Sequence, residues 1–273
     1  MLIYKYVPVA RFFSNFKFRF TPAEDLNDPM ELVPDIRLRD PAAYARDITS
    51  RNIESAYFRL LLSNPDLSPE EAWARIAAAA EQLERQFDPI ATVKKIYETF
   101  MRTTNKNVGV LSLSEDPCSA PMWAHYADEY KGLAIGLDTS SEFFQPKPEE
   151  PRVCGQLMNV VYTDTSPVVY VEPGKLDIPK EVFFTKARSW EYEKEWRIIK
   201  YLPQASEIVD GPEGKKICLF DVPPAAVKEV IFGSKISADV LEQVEQALQA
   251  RAPHVLRKRI TPVPGDGLRV VDC

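Results

Sequence analysis

Three short stretches combine hydroxyl, aromatic and charged residues at spacings that could do chemistry. The first is Tyr4-Lys5-Tyr6. The second runs from Ser112 and Ser114 through Ser119 to Met122-Trp123-Ala124-His125-Tyr126-Ala127-Asp128. The third is Lys186 followed by Trp190-Glu191-Tyr192-Glu193-Lys194-Glu195-Trp196-Arg197. In extended geometry side chains alternate between faces, so Glu191, Glu193 and Glu195 are expected on one face and Tyr192, Lys194 and Trp196 on the other. Close carboxylates repel unless a cation, a sugar hydroxyl or a shared proton offsets their charge. That makes Glu195 or Glu193 a candidate catalytic group, with a solvated strand entrance paired to Arg197 as the competing reading. His125 and Tyr126 are expected on a short helix with Trp123 one turn from Tyr126. A lone histidine among aromatics is more often a hydrogen-bonded structural residue than a base.

Other chemistries find little support. There is no Gly-x-Gly-x-x-Gly, no Walker loop and no Gly-x-Ser-x-Gly elbow, which removes a Rossmann cofactor, P-loop hydrolysis and a serine-hydrolase elbow. Cys118, Cys154, Cys218 and Cys273 are widely spaced without a Cys-x-x-Cys pair, and only His125 and His254 could assist. Free structural thiols are expected and a zinc site is not. A metal-assisted nuclease stays as a third alternative: it would need carboxylates such as Asp138, Glu193 and Glu195 to converge, which the spacing permits but does not specify.

The elements that must position these groups follow from patterning. Phe16, Phe18 and Phe20 alternate with Lys17 and Arg19, which predicts a half-buried strand. Asp40-Pro41, Ser68-Pro69 and Asp88-Pro89 each place a capping side chain before a proline suited to the first helical position, and Glu71 completes a capping box with Ser68. Residues 39–105 are therefore expected to form a three-helix insertion, with Ala72, Trp73, Ile76, Ala80 and Leu83 as its apolar repeat. Strands are expected at 108–113, 133–137, 160–162, 196–201, 217–220 and 229–232, with a helix from Ser237 to about Leu248 and two short strands after it. Most connections are too short for crossover helices, so a mixed or antiparallel sheet is expected inside a single α+β domain spanning 1–273.

The 273 residues are 45% hydrophobic and 27% charged, ordinary for a globular chain, and 23 prolines against 10 glycines imply many fixed turns. With 34 basic and 40 acidic residues the net charge is -6, which argues against general nucleic-acid binding. The N-terminus has no signal-peptide pattern and no stretch of about 18 apolar residues occurs, so a cytoplasmic protein without a membrane partner is expected.

Ile3-Tyr4-Lys5-Tyr6, Leu26-Asn27-Asp28-Pro29-Met30-Glu31, Met122 to Asp128 with Lys131-Gly132, and Phe184-Thr185-Lys186 with Trp190 to Arg197 together resemble the bacterial domain-of-unknown-function 2971 family. That name supplies no activity. A more distant resemblance does. Gly109 to Ser114, then Tyr126-Ala127, then Gly132 to Leu137 is similar to the signature of ADP-ribosyltransferases of the poly-ADP-ribose polymerase type. The resemblance implies a split β core that binds NAD as substrate, without a metal, for ADP-ribose transfer to an unknown macromolecular acceptor or for NAD hydrolysis. In it Tyr126 stacks on nicotinamide, Ser119 or Ser114 approaches the amide, and Glu195 or Glu193 is the acidic residue of a later strand. The opening-strand position, usually His or Arg, falls at Lys5 or Tyr6. Ser112, Trp123, His125 and Tyr4 complete the expected NAD-binding set. A noncatalytic nucleotide- or protein-binding module fits the same residues.

Overall fold

A computed structural model describes residues 1–147, 151 and 153–273. The chain divides into two compact units, one of residues 1–32, 103–165 and 183–273, the other of residues 33–102 and 166–182.

The larger unit is built on a mostly antiparallel sheet. Its strands follow the order Glu207–Asp210, Lys216–Asp221, Lys17–Pro22, Val108–Ser114, Leu2–Val7, Leu133–Asp138, Val227–Phe232, Leu256–Val263, Gly267–Asp272. Only the pair Val227–Phe232 with Leu256–Val263 in this order is parallel, and the helix Ala238–Arg251 supplies its crossover. The two C-terminal strands form one end of the sheet. The helix starts where Ser237 accepts a hydrogen bond from the Val240 amide, a short polar side chain satisfying an otherwise unpaired first-turn donor. Phe12, Phe13, Phe16, Phe18, Phe20, Leu111, Leu113, Ile135, Val230, Val244 and Leu248 belong to one apolar core. Tyr4, Tyr6, Met122, Trp123, Ala134 and Ile231 belong to a second. The odd and even residues of the opening strand thus serve different cores, as the pleat requires.

The sheet is split at its centre. Along the whole of Val108–Ser114, one edge is taken by Glu195–Tyr201, in register from Glu195 opposite Ser114 to Tyr201 opposite Val108. Because a strand has two edges, Lys17–Pro22 and Leu2–Val7 must share the other. Lys17–Pro22 pairs only at Val110 and Gly109, and Leu2–Val7 only at Ser114. Residues 111–113 are left between them without a ladder partner on that edge. A half-buried backbone carbonyl without a ladder partner needs another donor, and the Lys5 side chain donates to the Ser112 carbonyl at 2.9 Å.

The smaller unit contains the helices Pro41–Ser63 and Pro69–Arg85 and most of Pro89–Asn107. Asp40 accepts from the Ala43 amide, Ser68 and Glu71 form the reciprocal capping box, and Asp88 accepts from the amides of Ile90 and Ala91. The unit is wider than the helical segment. Asp35–Leu38, Val168–Glu172 and Lys175–Leu176 form a three-stranded sheet in it, contributed by two separate stretches of chain. The helical repeat is only half a core: Ala72 and Ala80 are buried, whereas Trp73 is 53% and Leu83 61% exposed. Small residues face inward on this helix, and Trp73 instead meets the edge of the Tyr57 ring. Ser68→Ala removes the cap and should cost about 0.5–2 kcal/mol. Urea denaturation followed by helical circular dichroism checks this, and an unchanged midpoint would deny the cap any energetic role.

Candidate functional site

The split opens into a cavity of about 230 Å³ lined by Tyr4, Lys5, Tyr6, Ser112, Ser114, Tyr126, Lys186, Glu193 and Glu195, with Asn27 among its remaining walls. Groups from all three chemistry-bearing stretches therefore meet in one place.

Local structure explains how Glu193 and Glu195 both arrive. The chain from Arg188 to Glu193 is a 3-10 helix, not a strand, and Lys194 follows in the left-handed region at φ 43°. The continuous alternation expected through Glu191, Glu193 and Glu195 is thus broken, and Glu191 is exposed. Glu193 is buried by the helical turn, while Glu195 opens the strand that carries Arg197 two residues later on the same face. The turn is pinned to the central strand: the Ser114 hydroxyl donates to the Glu193 carbonyl at 2.7 Å, and the Glu115 amide to the Lys194 carbonyl at 3.3 Å. The Glu195 amide donates to the Tyr162 hydroxyl at 2.7 Å.

Two cations offset the three carboxylates from within. Lys186 Nζ lies 2.6 Å from Glu193, 3.1 Å from Glu195 and 2.9 Å from Glu31. Arg197, with no exposed surface, donates from Nε to Glu195 Oε1 at 2.6 Å, from Nη2 to Glu195 Oε2 at 3.0 Å and to Glu31, and from Nη1 to the Phe183 carbonyl. Burial opposes the Glu195 charge, but the Arg197 charge and hydrogen bond and the Lys186 ammonium outweigh it and hold its pKa at about 2. For Glu31 the balance reverses: burial wins over Arg197 and Lys186, and its pKa lies above the usual carboxylate range. Glu31 is the one acidic group of this network whose location in the sequence gave no hint of chemistry beyond the family resemblance.

The remaining polar groups are oriented one by one. Tyr126 donates to Glu193 Oε1 at 2.6 Å and accepts from Asn27 at 2.7 Å. Tyr4 donates to Glu229 at 3.0 Å, and Lys258 meets the other oxygen of that carboxylate at 2.7 Å. Gly136 makes room for this contact, since a Cβ there would lie 2.7 Å from Cγ of Glu229 and 3.1 Å from the Tyr4 ring. Tyr6 donates to the Asp116 carbonyl at 2.6 Å. Burial first, then the neighbouring carboxylates, raise all three phenols above their ordinary pKa, so they stay neutral donors.

Three residues expected in the NAD-binding set stand apart from the cavity walls. Trp123 is fully buried, donates from its indole to the Pro117 carbonyl at 2.8 Å and packs edge-on against Tyr6. Ser119 precedes the helix Ala120–Tyr126. His125 is exposed, with the Tyr126 and Tyr192 rings 6.4 and 6.5 Å away. Asp138 does not join Glu193 and Glu195; it sits opposite Leu2 and is engaged by Ser140 and Lys228. At the carboxylate cluster the position a cation would take is filled by the Lys186 ammonium. Among the described residues no group of three or more His, Cys, Asp or Glu is placed to hold a metal ion. Among the described residues Cys118, Cys218 and Cys273 form no disulfide, and no helix is long and apolar enough to cross a membrane.

Residues 122–198 match a family model described as a protein of unknown function (DUF2971). That span holds Tyr126, Lys186, Glu193, Glu195 and Arg197, whereas Tyr4, Lys5 and Glu31 lie outside it. No curated protein and no solved structure matches the chain.

Proposed function

We propose that the cavity binds NAD and that the protein transfers ADP-ribose from it or hydrolyses it. The observation that carries this reading is the state of Glu193. A carboxylate has about four acceptor positions, and Glu193 uses one on each oxygen, for Tyr126 and Lys186. It is therefore a fixed, ionic acceptor with capacity left at a cavity wall. Cleavage of the nicotinamide–ribose bond develops positive charge on the sugar, which a fixed carboxylate accepting from a ribose hydroxyl stabilises. Glu195, gripped by Arg197, is better suited to holding the network than to touching the sugar. Tyr126 and Tyr4, each locked by its hydroxyl, offer flat walls for the leaving ring, and Lys5 and Ser112 line the split beside them. The distant likeness to ADP-ribosyltransferases points the same way, and the split sheet suits it.

Titration of the protein with NAD by calorimetry, together with nicotinamide release measured with and without a cell extract as acceptor source, tests the proposal. Saturable binding and release are the expected results. Binding without release would favour a noncatalytic nucleotide-binding module, a reading supported by the partial offset of the carboxylate cluster by Lys186 and Arg197. Absence of both in folded protein would remove the NAD reading.

A further inference from the structure

The two lysines of the cavity are in opposite states. Lys186 is saturated, with three carboxylates around its nitrogen. Lys5 lines the same cavity, yet among the described residues no carboxylate lies within 4 Å of its Nζ, and its hydrogen bond goes to the neutral Ser112 carbonyl. Lys5 is half-buried, and an ammonium partly withdrawn from water without an ion-pair partner is disfavoured relative to the neutral amine. The split in the sheet gives the amine its anchor: Ser112 has no ladder partner on that edge, and Lys5 donates to its carbonyl, while the Tyr4 and Tyr6 hydroxyls donate elsewhere.

We propose that Lys5 is a carbonyl-capturing amine: the cavity admits an aldehyde or ketone, and Nζ of Lys5 adds to it to form an imine. A neutral amine can keep one N–H on the Ser112 carbonyl, which fixes the nitrogen and leaves its lone pair free. The lone pair attacks the carbonyl carbon, the C=O π pair moves to oxygen, and the two N–H protons pass through water to that oxygen, which leaves as water. The product is the imine, with no change in oxidation state. Lysines desolvated in a pocket are activated in this way, and Lys5 lines the cavity without a carboxylate on its nitrogen. Burial is the main cause that lowers its pKa to about 8; Glu195 and Glu193 act against it and Lys186 with it. Tyr4 and Tyr6, its neighbours on the strand, remain neutral over this range. The inference does not rest on NAD as a ligand.

At pH 7 an amine titrating at about 8 is roughly one-tenth neutral, against about one part in two or three thousand for an ordinary lysine. Lower basicity takes back part of this gain in nucleophilicity, leaving about tenfold or more. The test treats the full chain with glyceraldehyde and sodium cyanoborohydride, with no NAD present, and follows each lysine by peptide mass spectrometry. Lys5 should be alkylated at least about tenfold faster than the exposed Lys131 and Lys228 at pH 7, and the ratio should shrink as the pH rises to 10 and the exposed amines deprotonate. A ratio near one at pH 7, or one that does not fall with rising pH, would overturn the proposal. Neither result bears on whether NAD binds.

Discussion

Glu193→Gln should cut nicotinamide release from NAD by about 100- to 1,000-fold while changing NAD affinity much less, the range seen when one preorganised group facing developing charge is removed. The substitution keeps the shape of the side chain and removes the charge. Both Glu193 oxygens now face donors, so the new amide must turn its NH₂ toward Tyr126 or Lys186. The Tyr126 hydroxyl can rotate to accept, whereas the Lys186 ammonium cannot. The amide oxygen therefore stays on Lys186 and the fold survives with a modest loss. Glu195→Gln is the comparison. It takes the charge out of the Arg197 fork, so its main effect should be on stability, with turnover per folded molecule falling less than in Glu193→Gln. Steady-state kinetics on both variants, corrected for the folded fraction, decide between them. A larger kcat loss at Glu195 would move the role two residues along the chain, and a loss confined to KM would assign the pair to ground-state recognition.

Arg197→Met should destabilise the protein by about 3–5 kcal/mol, because it leaves Glu31 and Glu195 buried with only Lys186 to offset three carboxylates. Glu31→Gln should cost far less, since burial already opposes the charge on Glu31 more than Arg197 and Lys186 favour it. The sign of the pH dependence follows from the same network. Glu195 titrates lower in the folded state than in the unfolded chain, so its contribution is complete above the ordinary glutamate range and is lost as pH falls from there toward about 2. Glu31 titrates higher when folded and works in the opposite sense, gaining stability as it takes up a proton above that range. The wild type should therefore lose little from this network on mild acidification and more below about pH 4.5, the ordinary glutamate range. In Arg197→Met burial governs Glu195 as well, and stability should rise on acidification toward pH 5. Urea midpoints from pH 3 to 7 check both curves; a variant within about 1 kcal/mol of wild type and parallel to it would show that the fork is not a structural support.

Much of the architecture was legible in local patterns. Asp40, Ser68, Asp88 and Ser237 marked their helices because caps act through bonds within three residues. The Phe16, Phe18 and Phe20 alternation marked a strand because burial of one face is written at period two, although the strand begins only at Lys17 and Phe16, at φ 55°, ends the short helix before it. The short connections gave a mostly antiparallel sheet for the same reason of reach. Local pattern failed where long-range partners decide. Trp73 repeats with Ala72 and Ala80 at helical spacing, but spacing does not say which ring finds an opposing surface. The Glu191 to Glu195 alternation read as one strand, and the tie from Ser114 to the Glu193 carbonyl, 79 residues apart, coincides with a turn instead.

For the site, the sequence marked Tyr4, Lys5, Tyr6, Ser112, Ser114, Tyr126, Glu193 and Glu195, which line the cavity, and equally Ser119, Trp123 and His125, which do not. Their energetic states were decided only by the fold. Whether a lysine is a saturated counter-charge or an unpaired amine depends on what surrounds it: Lys186 meets three carboxylates, while Lys5 fills a gap in a strand ladder. Glu31 became part of the network by reaching Arg197 across 166 residues of chain. Sequence determines composition, caps and pleats because those forces act between near neighbours; desolvation and ion pairing are set by whole surroundings, which exist only once the sheet has formed and split.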